Sequence, residues 1–418
     1  MHDKKTTLSR RQVLKAGAAG AALAASALPL PGAPSPAPRE FKVGLIGCGG
    51  RGTGAAKDAM DAGKFTGDKV AIHAVADLFE DKVVPAARSF KVDSKNAFFG
   101  FDAFKKLVET DVDYIILATP PHFRPEHFEA GINAGKHVFT EKPVAVDPVG
   151  IRRFLAAGEQ AKAKGLSVAA GTQRRHEKRY LETQKKVAEG AIGDIVTARC
   201  YWNQGGLWSR EKEEGWSDTE WQVRNWLYFT WLSGDHIVEQ HVHNLDVVNW
   251  FLGAHPVRAR GMGGRQVRTA QPKYGHIFDH FATELIYPNG VHVLSMCRQI
   301  DGCWNDVSEF VVGTKGGTNC RGEIFGANPW KFSGDSTNPY VQEHIDLQKS
   351  IKEGKGELNE AQNVAYSTMT AILARTSCYT GKEVSWDDLI KSNERLGPTK
   401  YEFGPLEIPP VARPGSAM

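Results

Sequence analysis

The chain has 418 residues, 41% hydrophobic and 24% charged, a balance that excludes collagen-like, disordered and wholly membrane-embedded classes and leaves room for two or three domains. Lys and Arg number 52 against 48 Asp and Glu, but Lys4, Lys5, Arg10, Arg11 and Lys15, set against Asp3 alone, supply that whole excess within residues 1–38. The remaining body is neutral and lacks the basic footprint that binding nucleic-acid phosphates demands, so no nucleic-acid partner is expected.

The N-terminus reads Ser9-Arg10-Arg11-Gln12-Val13-Leu14-Lys15, followed by a weakly apolar Ala/Gly-rich run from Ala16 to Leu28. Paired arginines before such a run predict a twin-arginine export signal, with Ala25-Ser26-Ala27 as the cleavage site. The run is shorter than the ~20 residues that span a bilayer, so no integral membrane segment is expected once the signal is removed. Leu28 to Pro38, with five prolines, reads as an extended spacer. The expected destination is the periplasm or the outside of the cell. Twin-arginine export carries proteins already folded in a reducing compartment. The six scattered cysteines, at 48, 200, 297, 303, 320 and 378, are therefore expected as free thiols.

Residues 39–170 read as a nucleotide-binding domain. Phe41 to Ile46 is a short β-rich run, Gly47-Cys48-Gly49-Gly50-Arg51-Gly52 follows, and Ala55 to Ala62 has helical composition. This is G-x-G-x-x-G between strand and helix. Gly47 permits the tight turn, Gly49 lets a pyrophosphate approach, and Gly52 lets the helix pack on the strand. A second strand, Val70–Ala76, ends at Asp77, whose carboxylate would accept from a ribose 2′-hydroxyl and repel a 2′-phosphate, favouring NAD over NADP. Lys64 to Lys69 reads as a loop insertion that lengthens the spacing from Gly47 to Asp77. Asp113–Ala118 is a third strand, ending at Thr119-Pro120-Pro121-His122 beside the ligand crevice. His137–Thr140 is a fourth, ending at Glu141-Lys142-Pro143, and Val168–Ala170 a fifth. Helices are expected over 80–90, 103–109, 125–134 and 148–164. The alternation predicts an α/β fold with a doubly wound parallel sheet.

Residues 171–400 read as an α+β domain with an open, mainly antiparallel sheet, and 401–418 as a tail. Strands are expected over 257–263, 281–287, 291–298 and 310–313, with helices over 180–190, 340–353 and 361–380. Asp235 reads as the N-cap of one helix running to about Leu252. On it His236, Glu239, His243 and Asp246 share a polar face, and Glu239 could orient His243 through one ring nitrogen, leaving the other as a base. His236, Glu239 and His243 lack the H-E-x-x-H spacing of a zinc site, so no metal is expected. Six tryptophans between Trp202 and Trp231 are read as a carbohydrate-stacking surface, an aromatic core or a subunit contact.

The Gly-rich turn, Thr119-Pro120, Glu141-Lys142-Pro143 and Glu239-x-x-x-His243 together resemble the Gfo/Idh/MocA oxidoreductases, relatives of glucose–fructose oxidoreductase and inositol dehydrogenase, over about residues 40–400. The resemblance implies that Lys142 lies between nicotinamide and substrate and that His243 accepts the substrate proton. It implies that Arg175, His176 and Tyr180 line the substrate side, where His236 and Asp246 are also candidates, and that the open sheet serves homo-oligomers. Glu239 stands where the family usually has aspartate, and His241 where a small residue is usual. The cofactor expected is NAD, bound by residues 47–52, Asp77, Thr119, Pro120, His122, Glu141 and Lys142. The expected activity is oxidation of a hydroxyl on a sugar, glycoside or polyol. An exported enzyme meets no pool of free nicotinamide, so its cofactor is expected to stay bound and be recycled in place. Two alternatives stand beside this: a glycosidase or lyase that oxidises transiently and re-reduces, and a non-catalytic sugar-binding protein.

Overall fold

The structure, a computed structural model, describes residues 38–269 and 272–415. The twin-arginine segment, its cleavage site and the spacer up to Ala37 lie outside the described residues. Strands β1 (Glu40–Ile46), β2 (Lys69–Asp77), β3 (Ala97–Phe99), β4 (Tyr114–Leu117), β5 (His137–Thr140) and β6 (Val168–Ala170) form a wholly parallel sheet in the order β3-β2-β1-β4-β5-β6. Tyr114 to Leu117 are all fully buried, as an apolar run covered on both faces requires. Helices α1 (Gly50–Thr66), α2 (Glu80–Phe90), α3 (Ala103–Val108), α4 (Arg124–Asn133) and α5 (Pro148–Ala163) supply the crossovers. The strand order reverses between β1 and β4, which opens the crevice where ligands of such sheets bind. One expectation is corrected here. The long spacing from Gly47 to Asp77 comes from α1 itself, which runs to Thr66 before Gly67 ends it in a left-handed cap, and not from an inserted loop.

The second sheet has nine strands: β7 (Ile195–Gln204), β8 (Arg258–Gly264), β9 (His280–Ile286), β10 (His292–Gln299), β11 (Asp306–Gly313), β12 (Gly316–Thr318), β13 (Glu323–Gly326), β14 (Trp330–Lys331) and β15 (Val384–Ser385). Their order is β14-β13-β12-β11-β7-β10-β9-β8-β15. The β7–β10 pair is parallel and the others are antiparallel. Central β7 has no counterpart among the expected strands. The helices of this half are α6 (Lys178–Ala188), α7 (Asp218–Arg224), α8 (Thr230–Ser233), α9 (His236–Glu239), α10 (Val242–Leu252), α11 (Pro339–Glu353), α12 (Ala361–Thr380) and α13 (Trp386–Lys391).

Leu245 and Val248 of α10 and Met369 and Ile372 of α12 share one core with Leu285 and Val293 of the sheet. The other face is open, with Val196, Met262 and Leu294 exposed. Helix α11 returns to the first sheet, where Leu347 and Ile351 join Phe41, Val43 and Ala59 in one apolar cluster. Residues 171–400 therefore contribute to both halves. All six cysteines are free, and all but Cys303 are buried.

Candidate active site

The nucleotide side is built mainly from backbone. Gly47 has φ +100°, and a Cβ there would lie 2.6 Å from the Ala118 carbonyl carbon. A Cβ on Gly52 would stand 1.8 Å from the Gly47 carbonyl oxygen, so both positions exclude side chains. Cβ positions on Gly49 and Gly50 would meet nothing within 4 Å, leaving the mouth of the turn open. Gly49 caps α1 with no side-chain acceptor, so the N–H groups of the first turn remain available to an anion. Asp77 closes β2; its carboxylate accepts from the N–H of Cys48 at 2.7 Å and of Phe79 at 3.0 Å, and burial raises its pKa. The open cradle, the uncapped helix start and the adjacent carboxylate fit a dinucleotide: turn 47–52 would hold the pyrophosphate and Asp77 a ribose.

Arg51 is held by three carboxylates. Its Nε donates to Glu141 Oε1 at 2.5 Å, and its guanidinium also pairs with Asp58 at 3.2 Å and Glu343 at 3.4 Å. It thereby ties the Gly-rich turn to the Glu141-Lys142-Pro143 loop, whose Lys142–Pro143 bond is cis. Thr119 shares a hydrogen bond with His127 Nδ1 at 3.3 Å. Pro120 begins the turn into the Pro121–Phe123 segment. His122 Nε2 meets the Tyr401 hydroxyl at 2.8 Å, and burial pushes its pKa down to about 3, so this imidazole is neutral.

The candidate catalytic groups come from both halves. Lys142 Nζ donates to the Glu239 backbone oxygen at 2.6 Å and to its carboxylate at 3.2 Å. Both side chains are largely buried, at 12% and 13% exposure, so removing either would leave the other buried without its partner. The helix expected over 235–252 is broken at Gln240 and His241, separating α9 from α10. His241 N–H reaches back five residues to the His236 oxygen at 3.2 Å, while its ring meets Ser295 Oγ at 2.8 Å beneath the sheet. This wide turn corrects the expected single polar face: Glu239 holds Lys142, and no bond joins it to His243. The His243 ring stacks on Trp202 with centroids 5.7 Å apart. Burial, then the positive charges of Lys142, Arg174 and Arg51, hold its pKa well below the usual imidazole range. A neutral imidazole beside an ammonium can take a hydroxyl proton while the ammonium stabilises the alkoxide.

The remaining candidates are committed to internal bonds. Arg175 Nε donates to both oxygens of Asp246, at 3.0 and 2.9 Å, and Asp246 also accepts from Ser367 at 2.7 Å. His176 lies between Asp346 at 2.7 Å and Glu360 at 3.3 Å. Tyr180 donates to Glu309 at 3.3 Å. His236 is the exception: it is buried against Phe281, and its Nε2 makes no hydrogen bond and lies 4.0 Å from Asp235. Asp235 caps α9 as expected, its carboxylate accepting from His236 N–H at 2.5 Å.

Sequence reasoning missed three contributors. Arg174 pairs with Glu309, 135 positions away, and acts on His243. Buried Arg124 donates to the Pro143 oxygen, fixing the Lys142 loop from below. Gln240 accepts from Gln204 at 2.8 Å and Gln299 at 2.9 Å, joining amides from three segments beside Trp202, whose indole N–H donates to Gln204. None has a local motif; a partner brought by topology defines each. Among the described residues, no group of three or more His, Cys, Asp or Glu is arranged to hold a metal ion.

Residues 41–170 match the oxidoreductase family described as having an NAD-binding Rossmann fold, and residues 180–319 match the GFO/IDH/MocA C-terminal domain. The chain belongs to the Gfo/Idh/MocA family. Two curated relatives illustrate its range. The 2,7-anhydro-N-acetylneuraminate hydratase of Escherichia coli is 27% identical over 43% of this chain and 44% of its own length. The NAD(+)-dependent scyllo-inositol 2-dehydrogenase of Bacillus subtilis is 21% identical over 58% of this chain and 64% of its own. The chain thus matches under two thirds of either relative's length. The fold is shared with scyllo-inositol dehydrogenase from Lactobacillus casei, solved with NAD(H) and scyllo-inositol: TM-score 0.64, 20% identity, 83% of this chain and 99% of that one. Within the Gfo/Idh/MocA frame, the turn at 47–52 and Asp77 belong to the NAD-binding half, and Glu239 and His243 face it from the second domain.

Proposed function

We propose that this protein is an NAD-dependent oxidoreductase acting on a hydroxyl of a sugar, glycoside or polyol, with the cofactor retained through the cycle. The observation that carries the reading is the bond from Lys142, in the loop after β5, to Glu239 of the second half, with the buried His243 near enough for the Lys142 charge to act on its ring. NAD, when bound, supplies the hydride acceptor. The His243 imidazole removes the hydroxyl proton, Lys142 stabilises the oxygen as that proton leaves, and Glu239 holds the Lys142 side chain in place. The likeness to scyllo-inositol dehydrogenases supports a polyhydroxylated ring as substrate.

A second reading has one specific support. The hydratase relative favours a redox-neutral cycle in which oxidation is transient and a bond is cleaved or hydrated before re-reduction. A non-catalytic sugar-binding role is disfavoured, because the Gly fingerprint and Lys142 are both present. The twin-arginine sequence supports export to the periplasm or beyond. The open face of the nine-stranded sheet, with Met262 and Leu294 exposed, supports a homo-oligomer.

The test is a release assay on mature protein: denature it, identify any bound nucleotide, then incubate intact protein with sugars, polyols and glycosides. Bound NAD that is reduced by one substrate and reoxidised by a second carbonyl is the expected result. Cleavage or hydration without net redox change selects the second reading. Failure to carry or bind NAD overturns both.

A further inference from the structure

The segment after α13 crosses the nucleotide crevice instead of trailing into solvent. Just beyond the Lys142 loop, the Leu396 N–H donates to Asp147 at 2.8 Å. Tyr401 then packs on Phe123, with centroids 5.6 Å apart, and bonds His122 in the loop after β4. Tyr401 also stacks on Phe101, in the loop after β3, at 6.1 Å. Phe403 stacks on Phe79, in the loop after β2, at 6.1 Å and lies 5.2 Å from Phe101.

Beyond this aromatic row the segment is fastened to the second half. Gly404 accepts from Thr219 N–H at 3.1 Å, and the Leu406 oxygen accepts from Gln222 at 2.9 Å, both on α7. From the same helix, Arg224 places its guanidinium 3.8 Å over the Phe79 ring and pairs with Asp81 at 2.8 Å.

Phe79 lies two residues past Asp77 and donates its N–H to that carboxylate; Gly100, beside Phe101, donates to the Asp77 backbone oxygen at 3.1 Å. The row of rings therefore bears directly on the loops that flank the ribose-accepting carboxylate. Separating these loops must break aromatic packing and hydrogen bonds on two elements at once.

We propose that residues 396–406 form a retaining strap that keeps the dinucleotide bound between turnovers by locking the loops after β2, β3 and β4 to one another and to α7. The proposal rests on the reading of the crevice as an NAD site, and it assigns retention to this segment and not to the Gly-rich turn alone.

The experiment measures the rate at which NAD leaves the full-length mature protein, by rapid dilution into excess competing nucleotide, and the NAD that co-purifies per chain. The double variant Tyr401→Ala/Phe403→Ala is expected to release NAD at least about tenfold faster and to purify with less of it. Phe403→Ala alone removes a ring that is 49% exposed; it is expected to move the rate in the same direction with the fold intact by circular dichroism. Trp208→Ala, at an exposed ring outside the strap, is expected to leave the rate unchanged. Wild-type release rates in both strap variants overturn the strap while leaving the NAD site standing. If the double variant fails to fold, the rate of the single variant decides. Absence of any NAD binding by the wild type overturns the strap together with the reading beneath it.

Discussion

The two sides of the cleft are made of different material. On the nucleotide side, backbone atoms within a few residues of one another form the cradle, and the glycines at 47 and 52 are there because nothing larger fits. On the substrate side, charged side chains are paired across great sequence distances: Arg174 with Glu309, Arg175 with Asp246, His176 with Asp346 and Glu360. A backbone cradle tolerates varied surroundings, whereas a set of buried ion pairs fails when one member is lost. The nucleotide side should therefore respond to substitution in affinity, and the substrate side in chemistry or folding.

The largest effect is expected at the meeting point. Lys142→Ala and His243→Ala should each lower kcat by roughly 10²–10⁴-fold while NAD still binds, measured by turnover alongside nucleotide titration. Loss of NAD binding in either variant would break the division between the two sides. Next comes Glu309→Ala, which leaves the Arg174 guanidinium buried without its carboxylate. About 3 kcal/mol of stability should disappear, read from urea unfolding. A near-neutral result would show that the substrate side is less dependent on its pairs than the geometry implies.

A smaller change is expected on the nucleotide side. Asp77→Ala should weaken NAD about tenfold and narrow the preference over NADP, since hydrogen bonds to a charged group contribute about 1.5–3 kcal/mol. Both are measured as dissociation constants. Unaltered discrimination would remove Asp77 from the ribose site.

The pH dependence sharpens the comparison with the least perturbation. His243 is held below its ordinary value, so it stays neutral as pH falls through 6.5. The acid limb of kcat/KM is expected below that value, and a limb at or above 6.5 would contradict His243 as the base. Stability behaves in parallel. Burial lowers His122, His127, His241 and His344 to about 3 and His137 and His276 to about 4. Their contribution is fully present above the unfolded value near 6.5 and is lost as pH falls through the folded values. His176, raised by Glu360 and Asp346 against the cost of burial, works in the opposite sense. Urea midpoints should decline steadily from pH 6.5 toward 4.

The same contrast explains what could be read from the sequence. Runs such as Tyr114–Leu117, glycines at fixed offsets and the Glu-Lys-Pro element are local signals, and they located the first sheet, the Gly-rich turn and Lys142. Strand β7 was illegible because Val196 and Thr197 are exposed while Ala198 and Cys200 are buried, giving neither a clean alternation nor an apolar run. The break at Gln240–His241 was illegible for a different reason. A helical period assumes that no side chain pulls away, and His241 is drawn under the sheet by Ser295, 54 residues later. That displacement passed Glu239 from the expected histidine partner to Lys142. Arg175, His176, Tyr180 and Asp246 were found as polar groups near the cleft, but whether such a group faces substrate or another residue depends on its distant partner.

The return of α11 to the first sheet has a consequence for the order of assembly on the ribosome. Leu347 and Ile351 complete the apolar layer over Phe41, Val43 and Ala59, so the nucleotide-binding half stays unsealed until some 350 residues have been made. Synthesis cannot finish the N-terminal half first and the C-terminal half afterwards. The first sheet must wait with one flank incomplete for a helix encoded near the far end of the message. A nascent chain stopped before residue 339 would leave that flank uncovered, and it would be a natural client for chaperones that bind exposed apolar surface.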